Sequence, residues 1–349
     1  MQSTLFLSVK GLWPRLLYNR TVRFWARCIN LHGFNRARVV GIRQETPDIR
    51  TFMFERPDDW ADFRAGQYVS VGVEVNGRLR RRCYSLSSEP GEPLAITVKR
   101  IPGGLVSAWL HARVNVGDYL DVGPPSGNFV LPIPHPANLL LLSGGSGATP
   151  VFSILKDLAG KGLIGDVVWL HAAKTAQDVV FGAALLELAS EHSGLQVRFV
   201  LEDTDGRLDA LRLGQMVPDL AERHTMMCGP AGMMEALRPA WEHLDGRLQT
   251  EEFTATPRSF SLLDRNGAVQ VLFGTKKVTV KQMLPLLDSL EQAGQKPAYG
   301  CRMGVCGTCQ ATKKQGVVEN MLTGEVSGEP DEVIRLCVSR PLTDVSLSF

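Results

Sequence analysis

The 349-residue sequence predicts a multi-domain chain: an antiparallel β-barrel, then a parallel-sheet α/β unit, then a smaller cysteine-bearing unit. Three observations predict it. From Arg38 to about Pro134, short alternating runs are broken by turn residues, an all-β pattern that suits a small barrel. From "ANLLLLSGGSGATPVFSILKDLAG" (137–160) onward, apolar runs alternate with helix-period segments, which indicates a parallel sheet. Beyond "TATPRSF" (254–260), the stretch "YGCRMGVCGTCQA" (299–311) crowds Cys301, Cys306 and Cys309 among glycines. The expected boundaries are an N-terminal extension (1–36), the barrel (37–136), the α/β unit (137–253), a linker (254–266) and the cysteine-bearing unit (267–349).

Composition narrows the function classes. Apolar content of 44% and charged content of 21% fit an ordinary globular protein. A net charge of +2, with no arginine–aromatic RNA-type motif, argues against nucleic acid as a partner. Seven cysteines, four of them C-terminal, make a poor disulfide framework and suit a reducing compartment. No run reaches the ~18 apolar residues a spanning helix needs. The start carries no charge before its apolar run and no cleavage pattern, so a cytoplasmic protein is expected.

The first segment stands apart in charge. Lys10, Arg15, Arg20, Arg23, Arg27, Arg36, Arg38 and Arg43 all precede the first acid, Glu45. Within "LLYNRTVRFWARCINL", Leu17, Thr21, Phe24, Trp25, Cys28 and Leu31 fall near one helical face, and Arg20, Arg23 and Arg27 on another. Such a segment suits peripheral contact with an acidic inner-membrane surface, packing on its own barrel, or a mitochondrial-type presequence.

In the barrel segment, "YVSVGVEV" (68–75) alternates, Asn76-Gly77 signals a hairpin, and "LAITVKR" (94–100) is another strand. "VGPPSGNFVL" (122–131) reads as turn chemistry followed by a strand. "RRCYSLSS" (81–88) ends a strand with Arg82-x-Tyr84-Ser85, and "VKRIPGGLVSAWL" (98–110) holds Gly103, Gly104 and Ser107. An arginine pairs with a pyrophosphate, a tyrosine packs on a flat ring, a hydroxyl bonds a ring nitrogen, and glycines open the backbone to phosphate.

In the α/β unit, the four-leucine strand runs into Gly144, Gly145 and Gly147, with Thr149 and Pro150 at the helix start. Backbone N–H groups and a helix N-terminus favour a pyrophosphate there. "DVVWLHAA", "LQVRFVLE" and "HTMMCGP" supply further buried strands, the last ending in Cys228, Gly229 and Pro230. "AALLELASEH" and "AGMMEALRPAWEHL" read as helices.

The cysteine spacing is Cys301-x4-Cys306-x2-Cys309, then twenty-seven residues to Cys337. Zinc ribbons use two CxxC knuckles, and only one close pair exists here. The x4/x2 spacing is that of plant-type [2Fe–2S] ligands, with glycines that let backbone N–H groups approach the sulfurs.

On this loop and the C-terminal "LCVSRPLTDVSL", residues 267–349 resemble the plant-type ferredoxin domain. That implies an α+β, ferredoxin-like (β-grasp) fold with Cys301, Cys306, Cys309 and Cys337 holding a [2Fe–2S] cluster. The barrel and glycine-turn motifs, taken in order with "MCGP" (227–230), resemble the ferredoxin–NADP reductase superfamily. The resemblance implies Arg82 on the flavin phosphate, Tyr84 along the ribityl chain and ring, and Ser85 near flavin N5. Val98 would stand beside the flavin, with Gly103, Gly104 and Ser107 near its phosphates. Gly144, Gly145, Gly147, Thr149 and Pro150 would hold the NAD(P)H pyrophosphate, and Cys228, Gly229 and Pro230 would lie by the nicotinamide. Ser85 and Cys228 are then the candidate catalytic residues.

FAD is favoured over the FMN carried by relatives of the phthalate dioxygenase reductase type. The choice of NADH or NADPH stays open: Leu201-Glu202 stand where NADPH-specific relatives place Ser-Arg, while Lys174 and Arg207 could still supply charge. In "TEEF" (250–253), Phe253 is a candidate ring neighbour. The implied activity is an NAD(P)H:acceptor oxidoreductase in which flavin converts a two-electron hydride into single electrons for the cluster. That chemistry leads one to expect no acid–base dyad. "GCRMGVCGTC" with the N-terminal extension is similar to reductases of membrane acyl desaturases and non-haem iron oxygenases, so such an acceptor is expected. A hybrid-cluster or haem acceptor, or a redox-sensing subunit without turnover, are the alternatives.

Overall fold

The period-two alternation of the first segment builds six strands with one face turned inward. They are β1 (Asn35–Thr46), β2 (Ile49–Phe54), β3 (Tyr68–Val75), β4 (Arg78–Ser85), β5 (Leu94–Lys99) and β6 (Tyr119–Val122). The computed structural model of the chain describes residues 35–57, 60–75, 78–244, 246–253, 267–302, 304 and 307–348. The basic amphipathic segment up to residue 34, the Asn76-Gly77 turn, the linker 254–266 and Cys306 lie outside them. The six strands pair antiparallel in the order β4-β3-β6-β1-β2-β5, and a bridge from Leu86 to Ile96 brings the two edges together. Val39, Phe52, Phe54, Val71, Val73, Leu94 and Ile96 form the barrel core.

Two expectations for this segment are corrected. It is not all β: helix α1 (Leu105–Arg113) follows the glycine pair, and Val106 and Leu110, one turn apart, bury into the barrel core. "FVL" (129–131) forms no strand. Phe129 and Leu131 bury instead against the next unit, their side chains held by packing and not by strand pairing.

The α/β unit comprises β7 (Asn138–Gly144), α2 (Ala148–Gly160), β8 (Asp166–Ala173), α3 (Gly182–Glu191), β9 (Leu195–Leu201), α4 (Ala210–Met216), β10 (His224–Cys228), α5 (Ala231–Leu237) and β11 (Leu248–Glu251). The strands are parallel in the order β11-β10-β7-β8-β9. The leucine run alternates between two cores: Leu139 and Leu141 meet Val151, Leu155 and Trp169, while Leu140 and Leu142 meet Leu213, Met227 and Trp241. The helix read from 231 to 244 stops at Leu237, and a 3-10 turn carries Arg238–Trp241. Pro239 has no N–H to continue the α-helical ladder.

The barrel and the α/β unit share a core, since Ile49, Ala65, Phe129 and Leu131 bury among Leu139, Val151, Phe152 and Ile154. Inside the α/β unit, His171 is fully buried. Its Nδ1 lies 2.8 Å from Ser143 Oγ, and Trp169 Nε1 donates to the same oxygen at 2.9 Å.

The last unit has β12 (Ala268–Phe273), β13 (Lys276–Lys281), α6 (Leu286–Gln292), β14 (Gln310–Gln315), β15 (Val318–Asn320), β16 (Val326–Ser327), β17 (Glu332–Arg335), β18 (Ser339–Pro341) and β19 (Val345–Ser348). A mixed sheet, β13-β12-β19-β14-β17, packs on α6 through Leu286, Leu287 and Leu290. Parallel pairing of β12 with β19 inside otherwise antiparallel neighbours gives the expected α+β arrangement. Among the described residues, no helix is long and apolar enough to cross a membrane.

Candidate functional site

Strand order reverses between β7 and β10, so the loops leaving these two strands open a crevice at their carboxyl ends. Gly147 is required there because an added Cβ would lie 2.2 Å from the Cys228 carbonyl oxygen. Gly144 and Gly229 lie close to Met233 and to each other, and Gly145 adopts φ +49. Thr149 is buried, and its Oγ1 donates to Ser146 O at 2.8 Å, tying the turn to the start of α2. Pro150 is buried in the first turn of that helix, whose N-terminus carries no side-chain cap.

Gly144, Gly145 and Pro230 line a cavity of about 520 Å³ together with Lys174, Glu202 and Arg207, and with Asp48, Ile49 and Lys99 from the barrel. This donor chemistry fits a dinucleotide: glycine-turn N–H groups at a helix start, then cations farther out. Glu202 and Arg207 face each other, with Arg207 Nε 3.7 Å from Glu202 Oε2.

On the barrel side, Tyr84 is partly buried, and burial raises its phenol well above the ordinary value. Gly103 has φ +71 with open space where a Cβ would stand, and Gly104 caps α1 without a side chain. Ser107 Oγ accepts from the Ile101 N–H at 3.2 Å, which folds the glycine pair over the start of α1. These features fit the phosphates of a flavin. Val98 is fully buried in the barrel core, and its carbonyl lies 2.8 Å from His111 Nε2. Arg82 Nη1 donates to Gly300 O at 2.6 Å and to Arg81 O at 2.7 Å, so the arginine reaches the cysteine loop.

The barrel and the α/β unit meet at one carboxylate that the sequence did not single out. Ser85 Oγ donates to Glu251 Oε2 at 3.0 Å. Parallel pairing of β10 with β11 sets Glu251 directly beside Cys228. Burial pushes the Glu251 carboxyl up to about 7, opposed by the hydrogen bond from Ser85. The fully buried Cys228 thiol is raised by burial and then by the charges of Glu251 and Glu252. Tyr68 is raised by burial and then by the charges of Cys83, Cys301 and Glu251. A part-buried hydroxyl–carboxyl hydrogen bond thus stands where the sequence led one to expect no acid–base dyad. Phe253, the aromatic singled out in the same segment, packs against the shared core. The signal lay in "TEEF" itself, whose acid at the end of a strand bonds Ser85.

Cys301, Cys309 and Cys337 are all buried in the last unit, with Cys309 Sγ 3.3 Å from Cys337 Sγ. Gly304 N–H donates to Cys337 Sγ at 3.2 Å. The Cys337 thiol is raised by its bond to Cys309, by burial and by the charges of Cys309 and Cys301, against the lowering effect of Gly304 N–H. Clustered thiols with backbone donors fit an iron–sulfur centre, whose cations remove that repulsion. The described side chains do not by themselves complete the ligand set, Cys306 lying outside them.

Three family models match in chain order. They are an oxidoreductase FAD-binding domain over 36–131, an oxidoreductase NAD-binding domain over 141–239, and a 2Fe-2S iron-sulfur cluster binding domain over 272–342. An NADPH oxidoreductase of Mycobacterium tuberculosis is 38% identical, covering 90% of this chain and 84% of that protein. A glycine betaine monooxygenase reductase subunit of Chromohalobacter salexigens is 31% identical, covering 91% and 96%. Phthalate dioxygenase reductase, a solved structure, superposes with a TM-score of 0.62 at 23% identity, covering 91% and 98%, and shares the fold.

Proposed function

The chain belongs to the ferredoxin–NADP reductase superfamily as a flavoprotein with a fused C-terminal [2Fe–2S] domain, and on that premise we propose that it reduces a non-haem iron oxygenase. It is an NAD(P)H-dependent electron-transfer oxidoreductase that works with FAD and a [2Fe–2S] cluster. The observation that carries the proposal is geometric: Ser85 on the barrel bonds Glu251, which pairs across strands with Cys228, and Arg82 of the same barrel strand bonds Gly300 beside the cysteine loop. The relative named as a monooxygenase reductase subunit supports an oxygenase as the acceptor.

Bound FAD supplies the conversion of a hydride pair into single electrons. The chain's own residues do the rest. Gly144, Gly145, Gly147, Thr149 and Pro150 seat the nucleotide pyrophosphate, while Cys228, Gly229 and Pro230 floor the nicotinamide end. Gly103, Gly104 and Ser107 hold the flavin phosphates and Tyr84 flanks the flavin. Arg82 has five N–H donors, so its bond to Gly300 O leaves others for a phosphate. With FAD bound, Ser85 Oγ would lie near flavin N5, and through its hydrogen bond it would relay a proton to or from Glu251, whose carboxyl burial pushes up to about 7. Cys301, Cys306, Cys309 and Cys337 hold the cluster.

A membrane acyl desaturase is the second acceptor reading, favoured by the acid-free basic run that precedes Glu45. The test is anaerobic titration with NADH and NADPH, following flavin bleaching and then cluster reduction by absorbance and paramagnetic resonance. The reduced protein is then offered a purified Rieske-type oxygenase, desaturase-containing membranes or a haem acceptor. Oxygenase turnover supports the first reading. Stimulation by membranes alone replaces it with the second, and reduction of the haem acceptor alone removes both.

A further inference from the structure

The iron–sulfur unit is attached to the other two units differently from the way those two are attached to each other. Barrel and α/β unit share an apolar core, whereas among the described residues the buried core of the last unit contains its own residues alone, from Val269 to Leu347. What crosses between barrel and cluster loop is a polar joint. Arg80 and Arg82 lie two residues apart on β4 and so project from one face of the strand. Arg82 Nη1 holds Gly300 O at 2.6 Å, and the Arg80 guanidinium lies 4.9 Å from the centroid of the Tyr299 ring. From within the last unit, the Arg302 guanidinium lies 4.0 Å from the same centroid.

Arg302 is costly to place and heavily braced. It is a non-glycine residue at φ 59, and its guanidinium pairs with Asp288 at 2.9 Å and with Glu291 at 2.7 and 2.8 Å. Asp288 and Glu291 lie three residues apart on α6, so one helix face fixes Arg302 and neutralises it. A second guanidinium can then approach the same ring without meeting an uncompensated cation, and the ring quadrupole attracts it.

We propose that Tyr299 is a positioning residue for flavin-to-cluster electron transfer. It is preset by Arg302 on its own unit and gripped by Arg80 on the barrel, so that the Cys301 ligand loop is held in register with the flavin site. This rests on the relay proposed above, and it adds that the register of the cluster unit against the barrel is set by this joint. The step affected is the passage of one electron from reduced flavin to oxidised cluster. The hydride step, made between the barrel and the α/β unit that their shared core joins, is untouched.

The experiment uses the holoenzyme with FAD and cluster in place, mixed with NAD(P)H in an anaerobic stopped flow. Arg80→Gln and Tyr299→Leu should leave flavin bleaching at the wild-type rate and slow subsequent cluster reduction roughly tenfold. Tyr299→Phe and Arg80→Lys should restore it, because each keeps the ring or the cation. Paramagnetic resonance of the dithionite-reduced cluster should be the same in all four, and amide hydrogen exchange over 299–301 should accelerate in the two slow variants. Arg80→Gln lies outside the ligand loop, so its result decides even where Tyr299→Leu loses the cluster signal. Cluster reduction at the wild-type rate in Arg80→Gln overturns the proposal. Absence of flavin-to-cluster transfer in the wild type itself overturns the relay on which it rests.

Discussion

Glu251 shows how a single side chain acquires function from where the fold buries it. With its carboxyl pushed up to about 7 by burial, it is largely protonated at pH 6 and largely ionised at pH 8. With flavin N5 at Ser85 as proposed, the ionised carboxylate is the form that would take up the proton released there. Electron release from reduced flavin should therefore rise as pH passes upward through about 7, and Glu251→Gln should flatten that rise and slow the step about a hundredfold. Stopped-flow traces from pH 5.5 to 8.5 would check both. His171 carries the opposite kind of information. Desolvation lowers it from 6.5 to about 4, so below 6.5 the unfolded chain binds a proton that the folded chain refuses. Its contribution is fully present above pH 6.5 and is lost as pH falls toward about 4, a loss of about 3 kcal/mol. Urea titrations at several pH values should show this slope, and His171→Gln should remove it. Arg82, Tyr84 and Ser85 stand out in the sequence because they sit within four positions of one strand. Glu251 does not, because its partner Ser85 is 166 residues away and no local spacing links them.

Among the elements, the turn between β7 and α2 is the most demanding. Gly147→Ala would drive a Cβ to 2.2 Å from the Cys228 carbonyl oxygen, backbone against backbone, with no flexible side chain to yield. The expected cost is about 1–3 kcal/mol of stability, with a clear rise in KM for the nucleotide in a ferricyanide assay. Denaturant midpoints and initial rates would show it. The parallel strands could be read from sequence because both their faces are buried, as the split of Leu139–Leu142 between two cores illustrates. Helix α1 could not, since nine residues after two glycines leave too little periodic signal within a strand-rich stretch. Phe129 and Leu131 misled for a related reason: apolar residues that plug a neighbouring unit look like a strand until the neighbour is in place.

At the scale of the whole molecule, hydride entry and electron exit are separable functions housed in separate cores. Cys337→Ser should abolish the reduced-cluster resonance and cytochrome c reduction while sparing ferricyanide reduction at the flavin, because Cys337 packs only with its own unit. Side-by-side assays with the two acceptors, on protein of equal flavin content, would test the split. The order of the three units was legible from their motifs. How they join was not, since Tyr299 and Arg80 each look like ordinary surface residues until the fold sets them 4.9 Å apart.

Ile49, Ala65, Phe129 and Leu131, interleaved with the leucines of the neighbouring sheet, also dictate where this polypeptide can be spliced. A hybrid reductase built by exchange at residue 136 would lay bare a greasy face on both fragments and force each donor to match the other's contours. A cut just past Phe253 parts two finished interiors, so the terminal cassette is the one that natural recombination or an engineer could trade between acceptors.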